Sequence, residues 1–297
     1  MKNNDTQASI AILMPYFGRW PFWMELFIAS CKKNPSIDWY FFSDCGELES
    51  FPENVKYQEM SFDGYKKLVS ERLGIPFNPA NAYKICDVRP AFGVIHRDVL
   101  CGYDFFGFGD LDLVYDDLRK IYTHEDLQRY DLISNHATRV SGHLSLIRNT
   151  ARMCNIFREI PDWKGKFTSE KHLAVDEKAF SKLFVKHKNF PVFIRKLLDL
   201  FYPLARKSKF VESYTTPNGY IAWRDGGYDF PKEWFWKNGV VSNDRDPEGY
   251  YPYFHFAVWK KGEWAGKEFQ EIVKINLDST YVFSSSGIHE VRRHEKG

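Results

Sequence analysis

Two carboxylates one residue apart, Asp110 and Asp112, close the aromatic, apolar run DFFGFGDLDL. Carboxylates at the end of a buried strand are presented to something, and an Asp-x-Asp pair can set its oxygens around one hard divalent cation. Magnesium and manganese favour oxygen ligands shared between protein and phosphate. The pair therefore points to a nucleoside-diphosphate ligand, with Mn2+ or Mg2+ as cofactor. An isolated Asp-x-Asp also serves to solvate a turn, so the neighbourhood decides. His255, in the run YFHFAVWKK, adds a neutral imidazole that suits manganese beside two carboxylates. Lys260 and Lys261 just after it can neutralise a leaving nucleoside diphosphate, whose charge grows in the transition state. Alone, between Phe254 and Phe256, His255 reads as a satisfied semi-buried histidine; beside the Asp-x-Asp it reads as a third ligand.

Such a site needs strands that end together. Residues 9–14, SIAILM, form a continuous apolar run closed by Pro15, as a buried parallel strand does. Helical spacing follows over Pro21 to Lys33, then apolar strands over Asp38 to Asp44 and Val55 to Phe62, and a helix over Gly64 to Leu73. With the Asp-x-Asp strand this predicts an α/β sheet. In open α/β sheets ligands bind beyond the carboxyl ends of the strands. Pro15-Tyr16-Phe17-Gly18, Ser43-Asp44 and Asp110-Leu111-Asp112 all lie at such ends, which makes Tyr16, Phe17 and Asp44 donor-binding candidates. Asp131 to Ser134 and Gly142 to Arg148 read as further strands, and Ala174 to Lys186 as a helix with Asp176 and Glu177 at its start.

Composition excludes several classes. Lys and Arg number 41 against 39 Asp and Glu, a near balance that provides no global field for nucleic acid. The five cysteines are scattered, without a Cys-x-x-Cys pair, which fits a reducing cytoplasm rather than a zinc or disulfide framework. No stretch approaches the ~18 apolar residues of a membrane span, and the polar start MKNNDTQAS is no secretory leader. Length and hydrophobic content allow one large core, so we expect a single catalytic domain with a nucleotide-binding half, 8–118, and an acceptor-binding half, 119–297. The Trp and Tyr surplus of the last hundred residues forms an aromatic-rich C-terminal lobe whose flat amphipathic rings suit sugar faces as well as interfaces.

From residue 8 to 265 the order of these features resembles the GT-A class of sugar-nucleotide-dependent glycosyltransferases, in which the Asp-x-Asp pair holds a manganese or magnesium ion on the donor diphosphate. The local likeness is to the galactosyltransferase and glycogenin-type family and its C-terminal motif His-Phe-x-Gly-x-x-Lys-Pro-Trp. His255 and Phe256 match it, Lys261 falls on the lysine and Trp264 lies one place late, while Val258 replaces the glycine and Gly262 the proline. A side chain at the glycine position obstructs close approach to phosphate. The chain looks like a bacterial branch acting in surface polysaccharide synthesis. The resemblance implies a Rossmann-type mixed sheet flanked by helices, a nucleoside-diphosphate sugar donor, UDP-linked by preference, and a glycan or lipid-linked glycan acceptor. It also implies donor contacts from the segment holding Lys84, Asp87 and Arg89, with Asp87 accepting from ribose and Arg89 meeting phosphate. Tyr16 would stack on a pyrimidine and His143 would touch the donor sugar. Asp176 or Glu177, unranked, would supply the catalytic carboxylate, in an inverting or a retaining reaction. A surface ion pair for Lys84 and Asp87, and first-turn acids that complement a helix dipole for Asp176 and Glu177, are the structural alternatives.

Residues 190–209 break the α/β rhythm with an apolar and basic segment, inside a helical insertion expected over 187–210. Such a segment either packs its apolar face on the sheet or lies in a bilayer interface at the inner face of the membrane. Rival readings of the whole chain are a non-catalytic carbohydrate-binding protein that keeps the fold, and a metal-dependent phosphohydrolase, which usually needs ligands for a second metal. Gly107-Phe108-Gly109 is a weak dinucleotide or methyl-donor signal, because no helix follows it.

Overall fold

Strand β1, Ile10–Pro15, has both faces buried: Ala11 and Leu13 enter one apolar cluster, and Ile10, Ile12 and Met14 the other. That two-sided burial is why its sequence is continuously apolar. It lies between two parallel neighbours in a computed structural model that describes residues 7–48, 51–187, 189–216 and 221–292. In chain order the main elements are β1, helix α1 (Met24–Lys32), β2 (Ile37–Ser43), β3 (Val55–Glu59), α2 (Phe62–Leu73), β4 (Phe105–Gly109), β5 (Leu113–Tyr115), β6 (Leu132–Ser134), β7 (Leu144–Arg148), α3 (Val192–Leu200), β8 (Ser208–Phe210), β9 (Glu233–Lys237), β10 (Val240–Asn243), β11 (Tyr253–His255), β12 (Thr280–Ser284) and β13 (Gly287–Val291).

The central sheet is a seven-stranded mixed one, ordered β3-β2-β1-β4-β7-β6-β8, in which β7 runs antiparallel to both of its neighbours and the other pairings are parallel. Gly107 is glycine because β7 crosses closely there: a Cβ would stand 2.6 Å from Leu146 Cδ2 and 2.8 Å from the Ser145 carbonyl. Helix α2 starts at Ser61, whose Oγ accepts from the Gly64 amide at 3.1 Å, and stops at Gly74 in the left-handed conformation.

The Asp-x-Asp run is not one strand. β4 ends at Gly109, Asp110-Leu111-Asp112 turns out of the sheet, and the chain resumes as β5, which pairs antiparallel with β11 and sets His255 opposite Leu113. This register brings the distant histidine beside Asp112.

A four-stranded antiparallel sheet, β10-β9-β12-β13, carries the aromatic surplus. The rings of Trp234, Trp236, Tyr251, Phe254, Tyr281 and Phe283 are buried against one another, so most of that surplus is core and not a sugar-binding surface. Among the described residues of the expected helical insertion over 187–210, helix is found at α3 and at Pro203–Arg206, while Ser208–Phe210 finds open hydrogen-bonding groups along β6 and becomes an edge strand of the central sheet. Among the described residues no helix is long and apolar enough to cross a membrane.

Candidate functional site

A cavity of about 610 Å³ opens at the carboxyl ends of β1 and β4. Pro15, Tyr16 and Phe17 line it from the first strand, Gly109 to Asp112 from the second, and His255, Lys260 and Lys261 from the β11 region. Asp110, Asp112 and His255 each offer one ligand atom, all within 4.8 Å of one another.

Asp112 is buried, with Oδ2 accepting from Lys260 Nζ at 2.5 Å. Its Oδ1 and His255 Nε2 lie 3.5 Å apart, both buried and without a hydrogen-bond partner. Two orphaned polar atoms facing each other are costly unless something completes them. Thr216 Oγ1 stands 2.9 Å from His255 Nδ1 and so turns Nε2 toward the carboxylates, as an outer-shell partner of a ligating histidine does. The donor set fits a manganese or magnesium ion. Burial works to raise the Asp112 carboxyl, but His255 and Lys260 beside it hold it well below the usual carboxylate range.

Arg89, also buried, ties this cluster to the second acidic group. Its Nη2 donates to Asp110 Oδ1 at 2.5 Å and to the Gly109 carbonyl at 3.1 Å; its Nη1 donates to the Gly142 carbonyl at 2.8 Å and reaches Asp176 Oδ2 at 3.4 Å. Although burial works against its charge, the facing acidic groups raise its pKa well above the ordinary arginine value. Ala174 to Lys186 does not form the expected α-helix. Asp176–Phe180 is a wider turn closed by Phe180 N–H to Val175 C=O at 2.8 Å, and a tighter turn, Ser181–Leu183, follows. The wide turn buries Asp176 in the cavity wall and leaves Glu177 partly exposed, 3.6 Å from Arg139. Burial pushes the Asp176 carboxyl up to about 7, and Glu177 and Asp110 add to the rise against the pull of Arg89.

The remaining predicted residues divide between cavity and scaffold. Tyr16 lines the cavity, stacked on Trp20 at 5.5 Å, and Phe17 packs on Phe62 and Tyr65. Lys261 lines it as an exposed cation. His143 faces it too, but Ser141 Oγ holds its Nδ1 at 2.8 Å and Tyr253 Oη holds its Nε2 at 2.8 Å, so neither nitrogen is left for a sugar. Burial, with His255 stacked 4.4 Å away, pushes its pKa well below the ordinary histidine value. Asp44 is exposed outside the cavity lining, where Oδ1 accepts from the Gly18 amide at 2.8 Å.

Lys84 and Asp87 are not a surface pair, and they do not line the cavity. They are buried together at 2.8 Å; Lys84 Nζ also donates to the carbonyls of Lys166 and Lys171, and Asp87 accepts from the amides of Leu173 and Val175.

Three contributors escaped sequence reasoning. Tyr253 lies two residues before His255 on the same strand, so period-two alternation puts both on one face. Thr216 carried no signal. Gly142 sits where a Cβ would meet Asp176 Oδ2 at 3.0 Å, Glu177 Oε1 at 3.2 Å and Arg89 Nη1 at 3.3 Å, so a side chain there would crowd all three.

A family profile covers this entire arrangement, matching residues 12–283. The chain belongs to DUF6625, a family of unknown function. No curated protein matches it. Among solved structures it is similar to the glycosyltransferase GlyE of Streptococcus pneumoniae TIGR4, at 11% identity and a TM-score of 0.35 over 70% of this chain and 46% of that one. The apo form of GlyE gives a TM-score of 0.36 at 11% identity over 71% and 46% of the two chains. The galactosyltransferase LgtC, solved in complex with donor and acceptor sugar analogs, gives 0.37 at 11% identity over 69% of this chain and 74% of that one. This DUF6625 chain thus spans about half the length of the GlyE chains it resembles.

Proposed function

We propose that this protein is a metal-dependent glycosyltransferase of the GT-A type, moving a sugar from a nucleoside-diphosphate sugar to a glycan acceptor. The observation that carries the reading is the pair of orphaned atoms, Asp112 Oδ1 and His255 Nε2, within reach of Asp110 at the rim of a donor-sized cavity. Asp110, Asp112 and His255 would hold manganese or magnesium, which when bound supplies charge neutralisation at the donor diphosphate. Among the described residues one such cluster of potential ligands is found, which favours this reading over a two-metal phosphohydrolase.

The chain's own groups fill the remaining roles. Tyr16 offers its ring to the base, UDP being the preferred carrier, and Lys261 meets phosphate charge at the mouth. Asp176 or Glu177 accepts the proton of the acceptor hydroxyl as its oxygen bonds to the anomeric carbon and the bond from that carbon to the diphosphate oxygen breaks. In a retaining course the same carboxylate orients the acceptor. A carboxyl poised near neutrality suits proton transfer better than one at its ordinary value. Arg89 fixes Asp110 and Asp176 relative to each other.

The test is a panel of nucleoside-diphosphate sugars, with manganese and with chelator, scored by nucleoside diphosphate release and by transfer to added saccharides. Manganese-dependent release from one donor supports the reading. Cleavage of simple phosphoesters without any use of nucleotide sugars would overturn it.

A further inference from the structure

Helix α3 presents a face that the rest of the described residues does not cover. Phe193, Leu197 and Leu200, at i, i+4 and i+7, make one stripe along it, and Phe201 prolongs the stripe past the helix end. They are 75%, 58%, 60% and 81% exposed, and Phe190 just ahead is 51% exposed. Ile194 and Leu198 are half-buried, so the helix is seated on the protein by a different side. Scattered exposed apolar residues need no explanation, whereas a contiguous set on one short helix marks an interaction surface.

Charge selects the occupant. Residues 190–209 contain Arg195, Lys196, Arg206, Lys207 and Lys209 against the single acid Asp199. Asp199 is engaged by His187 at 2.9 Å, and Lys209 by Asp126 at 2.6 Å. Arg206 and Lys207 are exposed just beyond the apolar stripe, and although Lys207 Nζ donates to the Arg129 carbonyl at 3.1 Å, that neutral acceptor leaves its charge in place. A second copy docking through this face would bring two basic segments together, whereas an anionic bilayer attracts them.

We propose that α3 and the turn after it form a membrane-docking element. The stripe Phe193, Leu197, Leu200 and Phe201 enters the boundary between headgroups and acyl chains, and Arg206 and Lys207 lie at the level of anionic headgroups. At nine residues the helix lies in the interface and does not cross it. The inference does not depend on what the cavity transfers, and its test needs no donor or metal.

The protein is sedimented with phosphatidylcholine vesicles, with and without phosphatidylglycerol, at low and high salt. We expect pelleting with anionic vesicles that falls with salt. Phe193→Ser with Phe201→Ser should weaken partitioning by more than about tenfold, and each of Arg206→Gln and Lys207→Gln by about fivefold. These side chains are exposed, so thermal unfolding should stay at the wild-type temperature. Wild-type protein that stays in the supernatant with anionic vesicles at low salt overturns the proposal, as does equal binding to neutral vesicles or unweakened binding by the double variant. A dimer dispersed by the double variant, with no vesicle binding, would assign the face to self-association instead.

Discussion

Asp112→Asn tests the metal reading where the structure is most specific. The substitution keeps volume and an oxygen for Lys260 but removes one of two anionic ligands. Lys260 is more than a third exposed and can turn to water, but Asp112 is buried and its carboxylate is held ionised by His255 and Lys260, so the apo fold should lose about 1–3 kcal/mol, which the chelator baseline reads. Cation affinity should fall as well. Disturbing outer-shell partners costs about 10- to 100-fold, so loss of a direct ligand should reach at least about 100-fold. With manganese at about 100 times the wild-type Kd, binding stabilises the wild type by about 2.7 kcal/mol, while the variant, then near its own Kd, gains about 0.4 kcal/mol. For a chain of this size that is a Tm rise of about 4–5 °C against less than about 1 °C. Thermal denaturation across a manganese titration, with chelator as baseline, reads both. An undiminished rise in Asp112→Asn would place the cation elsewhere.

Thr216→Val should leave the ligands intact but release His255 Nδ1, lowering manganese affinity about tenfold in the same titration. Asp176→Asn, if Asp176 is the base, should abolish turnover with donor affinity near wild type, and the wild-type rate should rise with pH through about 7 as that carboxyl ionises; Glu177→Gln showing this phenotype instead would transfer the role. The same raised pKa has a stability consequence: the folded state holds the proton more tightly than the unfolded one, so stability is fully present below about pH 4 and is lost as pH rises through about 7, a slope that urea denaturation should find flattened in Asp176→Asn. Lys84→Met should lower stability by about 3–5 kcal/mol, because Asp87 would stay buried without its cation, and donor affinity of the folded fraction should persist.

The parts of the fold that sequence made legible are those where one residue type serves one physical end. β1 shows as a continuous apolar run because both its faces are buried, and the ends of β1 and β4, where polar groups follow buried strands, line the cavity. The meeting of Asp112 with His255 depends on β5 and β11, three residues each, whose pairing is fixed by long-range packing and leaves no periodic trace. Burial was the least legible quantity. The apolar and basic 190–209 segment fitted a packed lid and an interfacial helix equally well, since the two share a periodicity, and only exposure distinguishes them. The aromatic surplus erred the other way: rings able to face sugar are enclosed among themselves.

The segment Ala82–Ala91 shows how charged residues in one short turn divide their work. It is a tight helix of three residues per turn, so Lys84 and Asp87 at i and i+3 fall on one side, while Arg89, two residues on, points elsewhere. The first side clamps the backbone of residues 166–175, with Asp87 receiving the amides of Leu173 and Val175 immediately before Asp176. The other side sends Arg89 to Asp176 itself and to Asp110. One element therefore fixes the chain that carries the candidate base and, through a single guanidinium, the spacing between that carboxylate and the candidate metal ligands. Three charges that from sequence alone resembled a row of phosphate and ribose contacts act mainly on the protein. On the proposed reading, the groups placed to meet a donor are those of the strand ends and the β11 region, where Tyr16, Lys260 and Lys261 line the cavity together with Arg89 itself.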